Sequence, residues 1–288
     1  MTRQELVQQI YQKGSYLLVG LDTDPAKLPQ QFDRSTAGML AFNKAIIDAT
    51  KDFCVGYKIN TAFYEAHGVK GWEVMEETVN YIPRNHFTIA DAKRGDIGNT
   101  SSQYARAFFE TLHFDAVTVA PYMGEDSVKP FLEFSDKWTI LLGLTSNPGA
   151  KDFELRRLWP QENAGKQTGG SSPDPSSHQT EFLYERVMQT AATWGNEGNL
   201  MFVVGATRSE EFTNIRRLTP NHFYLVPGVG AQGGSLKDIS EKAMTSDCGI
   251  LVNASRAIIY ASGGDDFAEA ATDVARQYAG EMKTYLGN

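Results

Sequence analysis

The chain of 288 residues reads as a (β/α)8 barrel, an α/β fold in which eight parallel strands alternate with helices. Three observations predict it. Short apolar runs recur eight times from end to end, with helical patterns in most of the intervals. The runs are continuous rather than alternating, as suits strands of a parallel sheet covered on both faces. The first run leads into Leu21-Asp22-Thr23-Asp24-Pro25 with no glycine after Gly20. An open doubly wound sheet, the alternative, normally announces itself there by a glycine-rich turn.

In chain order the predicted strands are residues 16–21, 54–59, 87–92, 116–119, 139–144, 201–204, 223–226 and 249–252. Helical patterns cover residues 36–50, 71–81, 100–112, 179–194, 210–218 and 267–285. Eight strand–helix units fit a single barrel domain spanning residues 1–288. One interval is too long for a simple connection. More than fifty residues separate the fifth and sixth strands, and residues 166–177 are rich in Gly, Ser and Pro. An insertion at about 147–179 is expected, either a functional lid or a surface excursion without catalytic duty.

Composition excludes several classes. Hydrophobic residues make up 41% and charged residues 22%, as in an ordinary globular protein. The formal net charge of −8 argues against nucleic-acid partners, which require a basic face, but leaves room for one small anion in a local pocket. Cys54 and Cys248, each in an apolar stretch that reads as strand, make neither a disulfide framework nor a zinc motif. The opening Met1-Thr2-Arg3-Gln4-Glu5 lacks a signal-peptide core, and no apolar run reaches the roughly 18 residues of a spanning helix. A cytoplasmic protein without membrane partners is expected.

Barrel enzymes carry their chemistry at the C-terminal ends of the strands, so polar residues closing apolar runs are the informative ones. The first strand ends at Asp22, and the second carries Lys58 near its end. The third closes in Asp91-Ala92-Lys93-Arg94-Gly95-Asp96. Residues two apart in a strand share a face, so Asp91 and Lys93 should point the same way. Asp96 follows in the loop, and the three can form one alternating charged array. A solvated salt-bridge cluster is the bland alternative for an arbitrary Asp-x-Lys. Similar closures on neighbouring strands argue for a site instead.

A second constellation follows the seventh strand: Pro227-Gly228-Val229-Gly230-Ala231-Gln232-Gly233-Gly234. Such glycines let backbone approach a ligand and turn N–H groups toward an anion. The eighth strand leads into Asn253-Ala254-Ser255-Arg256, a guanidinium beside the N–H groups of a helix start. Loops after strands seven and eight of a barrel commonly bind phosphate. The five histidines show no metal or triad spacing, and neither a Gly-x-Ser-x-Gly elbow nor a P-loop is present. No metal and no cofactor are expected.

Over nearly the whole chain these residues resemble the orotidine 5′-phosphate decarboxylase family. Asp91-Ala92-Lys93-Arg94-Gly95-Asp96-Ile97 is similar to its Asp-x-Lys-x-x-Asp-Ile signature, and residues 227–234 to its phosphate-gripping loop. Thr145-Ser146-Asn147-Pro148-Gly149 and the length resemble the longer bacterial subgroup. Gly98 stands where some relatives have proline.

The resemblance implies that orotidine monophosphate is the substrate, converted to uridine monophosphate and carbon dioxide in pyrimidine biosynthesis. It implies that Asp22 and Lys58 bind the ribose, that Asp91 lies beside the substrate carboxylate, and that Lys93 protonates C6. Ser146 would meet the pyrimidine edge, and Pro227, Gln232, Ser255 and Arg256 would belong to the phosphate end. It also implies a homodimer, with Asp96 and Thr100 reaching into the partner's site. Two other readings stay open. One is a metal-dependent 3-keto-sugar-phosphate decarboxylase or hexulose-phosphate synthase of the same superfamily, and the other a non-catalytic barrel that senses a nucleotide phosphate.

Overall fold

The computed structural model describes residues 1–158, 180–230 and 233–287. Eight parallel strands close into a ring in chain order: β1 (Leu17–Gly20), β2 (Gly56–Asn60), β3 (Phe87–Arg94), β4 (Ala116–Val119), β5 (Trp138–Leu144), β6 (Leu200–Val204), β7 (Phe223–Pro227) and β8 (Ile250–Ala254). β1 closes the ring by pairing with β2 on one side (Leu18 opposite Gly56) and β8 on the other (Leu18 opposite Asn253). The strands are almost wholly buried, because inward side chains fill the barrel and outward ones meet helices. This is the fold that the eight apolar runs predict.

The helices around the ring are α1 (Arg3–Lys13), α2 (Thr36–Thr50), α3 (Gly68–Tyr81), α4 (Gly98–Arg106), α5 (Glu125–Leu132), α6 (Leu183–Ala191), α7 (Phe212–Leu218), α8 (Leu236–Ala243) and α9 (Phe267–Leu286). α2 shows why the patterning works. Ser35 caps it by accepting from the Gly38 N–H, and Met39, Phe42, Asn43, Ile46, Ile47 and Thr50 form its buried stripe. α9 buries Ala271, Ala275 and Ala279 at four-residue spacing, and their small side chains let it lie close to the barrel.

Three of these helices were not expected. α1 carries a capping box between Thr2 and Glu5 and ends at Gly14 in the left-handed region, yet buries only Leu6 and Ile10. α5 has Pro130 inside it, and α8 is eight residues long, so neither offers a sustained apolar period. The predicted helix 100–112 is α4 followed by a π-turn, Ala107–Thr111. The cysteines are a correction: Cys54 and Cys248 sit just before β2 and β8 rather than inside them, both buried and unbridged.

Two strands carry irregularities where they reach the C-terminal face. Between Ala90 and Arg94 the pairing of β3 with β4 slips, and between Leu142 and Leu144 that of β5 with β6 does the same. Bulges of this kind bend a strand and re-aim its side chains. Beyond β5 the two-residue strands Arg157–Leu158 and Glu181–Phe182 pair antiparallel at the base of the long connection. Residues 159–179 of the expected insertion lie outside the described residues.

Candidate active site

A cavity of about 330 Å³ opens at the C-terminal ends of the strands, within the usual range for a small-molecule site. Asp22, Lys58, Asp91 and Lys93 line one side of it, and Pro227, Ser255 and Arg256 the other. Leu142, Val203 and Leu225 contribute apolar surface between them.

The charged side is a continuous network. Lys58 Nζ lies 2.9 Å from Asp91 Oδ2 and 3.2 Å from Asp22 Oδ1, and Lys93 Nζ lies 2.6 Å from Asp91 Oδ1. Burial opposes the charge on Lys58, but Asp91 and Asp22 outweigh it and raise its pKa. Burial likewise opposes the charge on Asp91. The ammonium groups of Lys58 and Lys93 prevail there, holding its carboxyl well below the usual carboxylate range. Lys58 and Asp91 therefore hold each other in the charged form, and removing either leaves a buried charge uncompensated.

Lys93 differs from Lys58 in access. Lys58 is 3% exposed, whereas the Lys93 side chain is about half exposed, with its ammonium at the cavity. Its backbone is in the left-handed region (φ 48°), which a lysine adopts only when its surroundings enforce it. Thr118 on β4 does so. Its hydroxyl accepts the Lys93 N–H at 2.9 Å and donates to Asp91 Oδ1 at 3.1 Å, locking the bulge and the carboxylate together. Sequence reasoning missed Thr118, because a lone threonine in an apolar strand carries no signal. Its partner is two strand residues that only the bulge brings within reach.

Asp96 is not part of this network within the chain. Its Oδ1 instead accepts the Ile97 N–H at 2.7 Å, and neither Asp96 nor Thr100 lines the cavity. Between Lys93 and Asp96, Arg94 pairs with Glu65 and lies over the rings of Tyr104 and Phe108.

Ser146 lines the cavity beside Thr145 and Asn147, and its buried hydroxyl has no partner among the described residues. It packs on Gly205, where a Cβ would lie 2.0 Å from its Oγ. On the opposite side, Ser255 Oγ sits against Gly20, where a Cβ would lie 1.8 Å away. Arg256 opens a short helix, is exposed, and has no ion-pair partner among the described residues. Gly228 and Val229 line the cavity too, while Gln232 lies outside the described residues. Asn253 is a further residue that the sequence did not single out. It is 6% exposed, donates from Nδ2 to Ser255 Oγ at 3.2 Å, and leaves Oδ1 without a partner among the described residues. Its signal was an inward-facing polar residue two positions before Ser255.

Among the described residues no three His, Cys, Asp or Glu side chains are grouped to hold a metal ion. No helix among them is long and apolar enough to cross a membrane.

The sequence profile of the orotidine 5′-phosphate decarboxylase / HUMPS family matches residues 15–272. An orotidine 5′-phosphate decarboxylase from Flavobacterium johnsoniae is 54% identical over 285 residues, covering 98% of this chain and 97% of that protein. One from Phocaeicola vulgatus is 51% identical over 289 residues, covering 99% of both. Among solved structures, an OMP decarboxylase of Leishmania donovani is similar with a TM-score of 0.78 and 31% identity, covering 99% of each chain. By profile, by curated relatives and by fold, the chain belongs to the orotidine 5′-phosphate decarboxylase / HUMPS family.

Proposed function

We infer that the protein is an orotidine 5′-phosphate decarboxylase, a carboxy-lyase that converts orotidine monophosphate to uridine monophosphate and carbon dioxide. Curated relatives of this activity match at about half identity over the full length. One observation carries the chemistry: a half-exposed ammonium, Lys93, held 2.6 Å from Asp91 at the mouth of a cavity whose far side offers Arg256.

Loss of carbon dioxide from C6 leaves an electron pair on a ring carbon that no neighbouring carbonyl delocalises. A fixed cation must meet that charge. A pair of unit charges about 4 Å apart gains about 1 kcal/mol in water but about 4 kcal/mol at an effective dielectric near 20. Lys93 supplies the cation in our reading, preorganised by Asp91 and by the Thr118 hydrogen bond. Once the carbon–carbon bond has broken, the same ammonium delivers a proton to C6. Asp91 lies beside the substrate carboxylate, and Lys58 keeps Asp91 charged while joining Asp22 at the ribose hydroxyls.

Ser146, with its unpartnered hydroxyl, takes the pyrimidine edge. Ser255, Arg256, Pro227 and Gln232 form the phosphate end, remote from C6, where binding energy is available to close the site. Asp96 and Thr100 lie outside their own cavity, which supports a homodimer in which they complete the partner's. The apolar residues Ile97, Tyr122, Met123 and Phe153 are exposed on the loops around them, a surface that a second copy would cover. We read the chain as one barrel domain acting in the cytoplasm.

The test is direct. Purified protein given orotidine monophosphate should consume it, followed by absorbance, and EDTA should leave the rate unchanged. Absence of turnover would favour a phosphate-sensing barrel. A rate lost to EDTA and restored by magnesium or manganese would favour the metal-dependent branch of the superfamily.

A further inference from the structure

The long connection after β5 leaves the barrel and returns to it over a tied base. The Tyr184 N–H donates to the Glu154 carbonyl at 3.0 Å and the Leu183 N–H to the Arg156 carbonyl at 2.8 Å. Next to them Arg157–Leu158 pairs with Glu181–Phe182. The backbone of Glu154 is thus anchored, and its side chain is free to act elsewhere. It turns toward the mouth of the cavity. Glu154 Oε2 accepts the Thr145 N–H at 2.7 Å, and Oε1 lies 2.8 Å from Thr145 Oγ1. That hydroxyl is also 2.5 Å from Asn147 Oδ1, so its single proton serves one acceptor at a time. From the other side Arg208 Nε donates to the Thr145 carbonyl at 3.3 Å.

Thr145 is therefore held at its N–H, its hydroxyl and its carbonyl, by two side chains of opposite charge from different loops. It needs such support. It follows the β5 bulge, where the ladder with β6 is interrupted. A carboxylate accepting a backbone N–H is among the stronger hydrogen bonds available for the purpose. Ser146, the next residue, has no tether of its own: its hydroxyl is buried, unpartnered among the described residues, and set against Gly205. Where Ser146 stands is consequently decided by Thr145.

We propose that Glu154 is a positioning residue for the pyrimidine, fixing Thr145 so that Ser146 is presented to the base, and that the near limb of the long connection thereby serves substrate recognition. The proposal rests on the reading of Ser146 as the pyrimidine contact.

The experiment compares inhibition of the full-length enzyme by uridine monophosphate and by ribose 5-phosphate, since only the former carries the base. Glu154→Ala should weaken uridine monophosphate roughly tenfold and leave ribose 5-phosphate within about twofold. Glu154→Gln retains a carbonyl acceptor for the Thr145 N–H and should recover most of the loss. Equal weakening of both inhibitors, weakening of neither, or no recovery in the glutamine variant overturns the proposal. Ser146→Ala separates the two layers of the argument. It too should act selectively on uridine monophosphate, and adding Glu154→Ala to it should cost little more. If Ser146→Ala has no effect, the reading of Ser146 falls. If it acts and the Glu154→Ala penalty persists undiminished on top of it, that reading stands and the role of Glu154 falls.

Discussion

Lys93 meets Asp91 across a bulge rather than along a regular strand. Its Nζ lies 2.6 Å from the carboxylate while its backbone sits at φ 48° and its N–H is taken by Thr118. The ammonium is thus aimed by a strained backbone whose cost the neighbouring strand offsets.

If Lys93 is both the cation and the proton donor, Lys93→Ala should lose turnover by more than about a thousandfold. Circular dichroism should stay native, since the side chain is half exposed and Asp91 keeps its ion pair with Lys58. A variant that kept about a tenth of the native rate would remove Lys93 from the role.

The network has a defined pH window. The Asp91 pKa is lowered, so its contribution to stability is present above the ordinary carboxylate pKa of about 4 and is lost only as pH falls through the lower folded value. The Lys58 pKa is raised, so its contribution is present below the ordinary lysine value of about 10.4 and is lost as pH rises through the higher folded one. Asp91→Asn should therefore lower Tm at neutral pH, by an amount corresponding to about 3 kcal/mol. The gap to the native protein should hold steady from about pH 5 to 9 and narrow only in stronger acid. A gap that had closed by about pH 6 would show that the Asp91 pKa is raised rather than lowered.

Arg256→Ala should cost roughly 1.5–3 kcal/mol of transition-state binding, read from kcat/KM with orotidine monophosphate. Against orotidine, which lacks the phosphate, the same variant should behave almost as the native enzyme. Equal penalties for both substrates would place Arg256 elsewhere.

Mixing Lys93→Ala with Asp96→Ala subunits tests the shared site. Asp96 stands outside its own network, bonded to the Ile97 N–H. In a heterodimer one site then carries both defects and the other neither, so activity should return to at most about half of the sites in each heterodimer. Sedimentation and subunit exchange must be measured alongside. Exchange without recovered activity would assign Asp96 to its own chain.

The barrel was legible because burial on both faces makes its strands continuous apolar runs, a pattern visible in residue order alone. α2 and α9 were legible for the same reason in helical form, with long stripes such as Met39 to Thr50. α5 and α8 were not, being short, with Pro130 interrupting one and a glycine-rich loop preceding the other. At the site, charges closing apolar strands identified Asp22, Lys58, Asp91 and Lys93. The split between Lys93, inside the network, and Asp96, outside it, was not legible, because the register shift between Ala90 and Arg94 depends on pairing with β4 that no local spacing encodes. Thr118 and Glu154 were hidden likewise, since each matters through a partner on another element.

The closure of β1 onto β8 bears on when the molecule becomes competent. Every member of the charged network is made by the time β3 leaves the ribosome, whereas Ser255 and Arg256 arrive with the final strand. A growing chain thus carries charges destined for burial long before the opposite wall exists, and β1 waits with an unpaired edge open to wrong partners. Once β8 is inserted between β7 and β1, that edge disappears, and the two ends of the ligand site face each other for the first time. The cavity is therefore completed in one late event, the shutting of the ring.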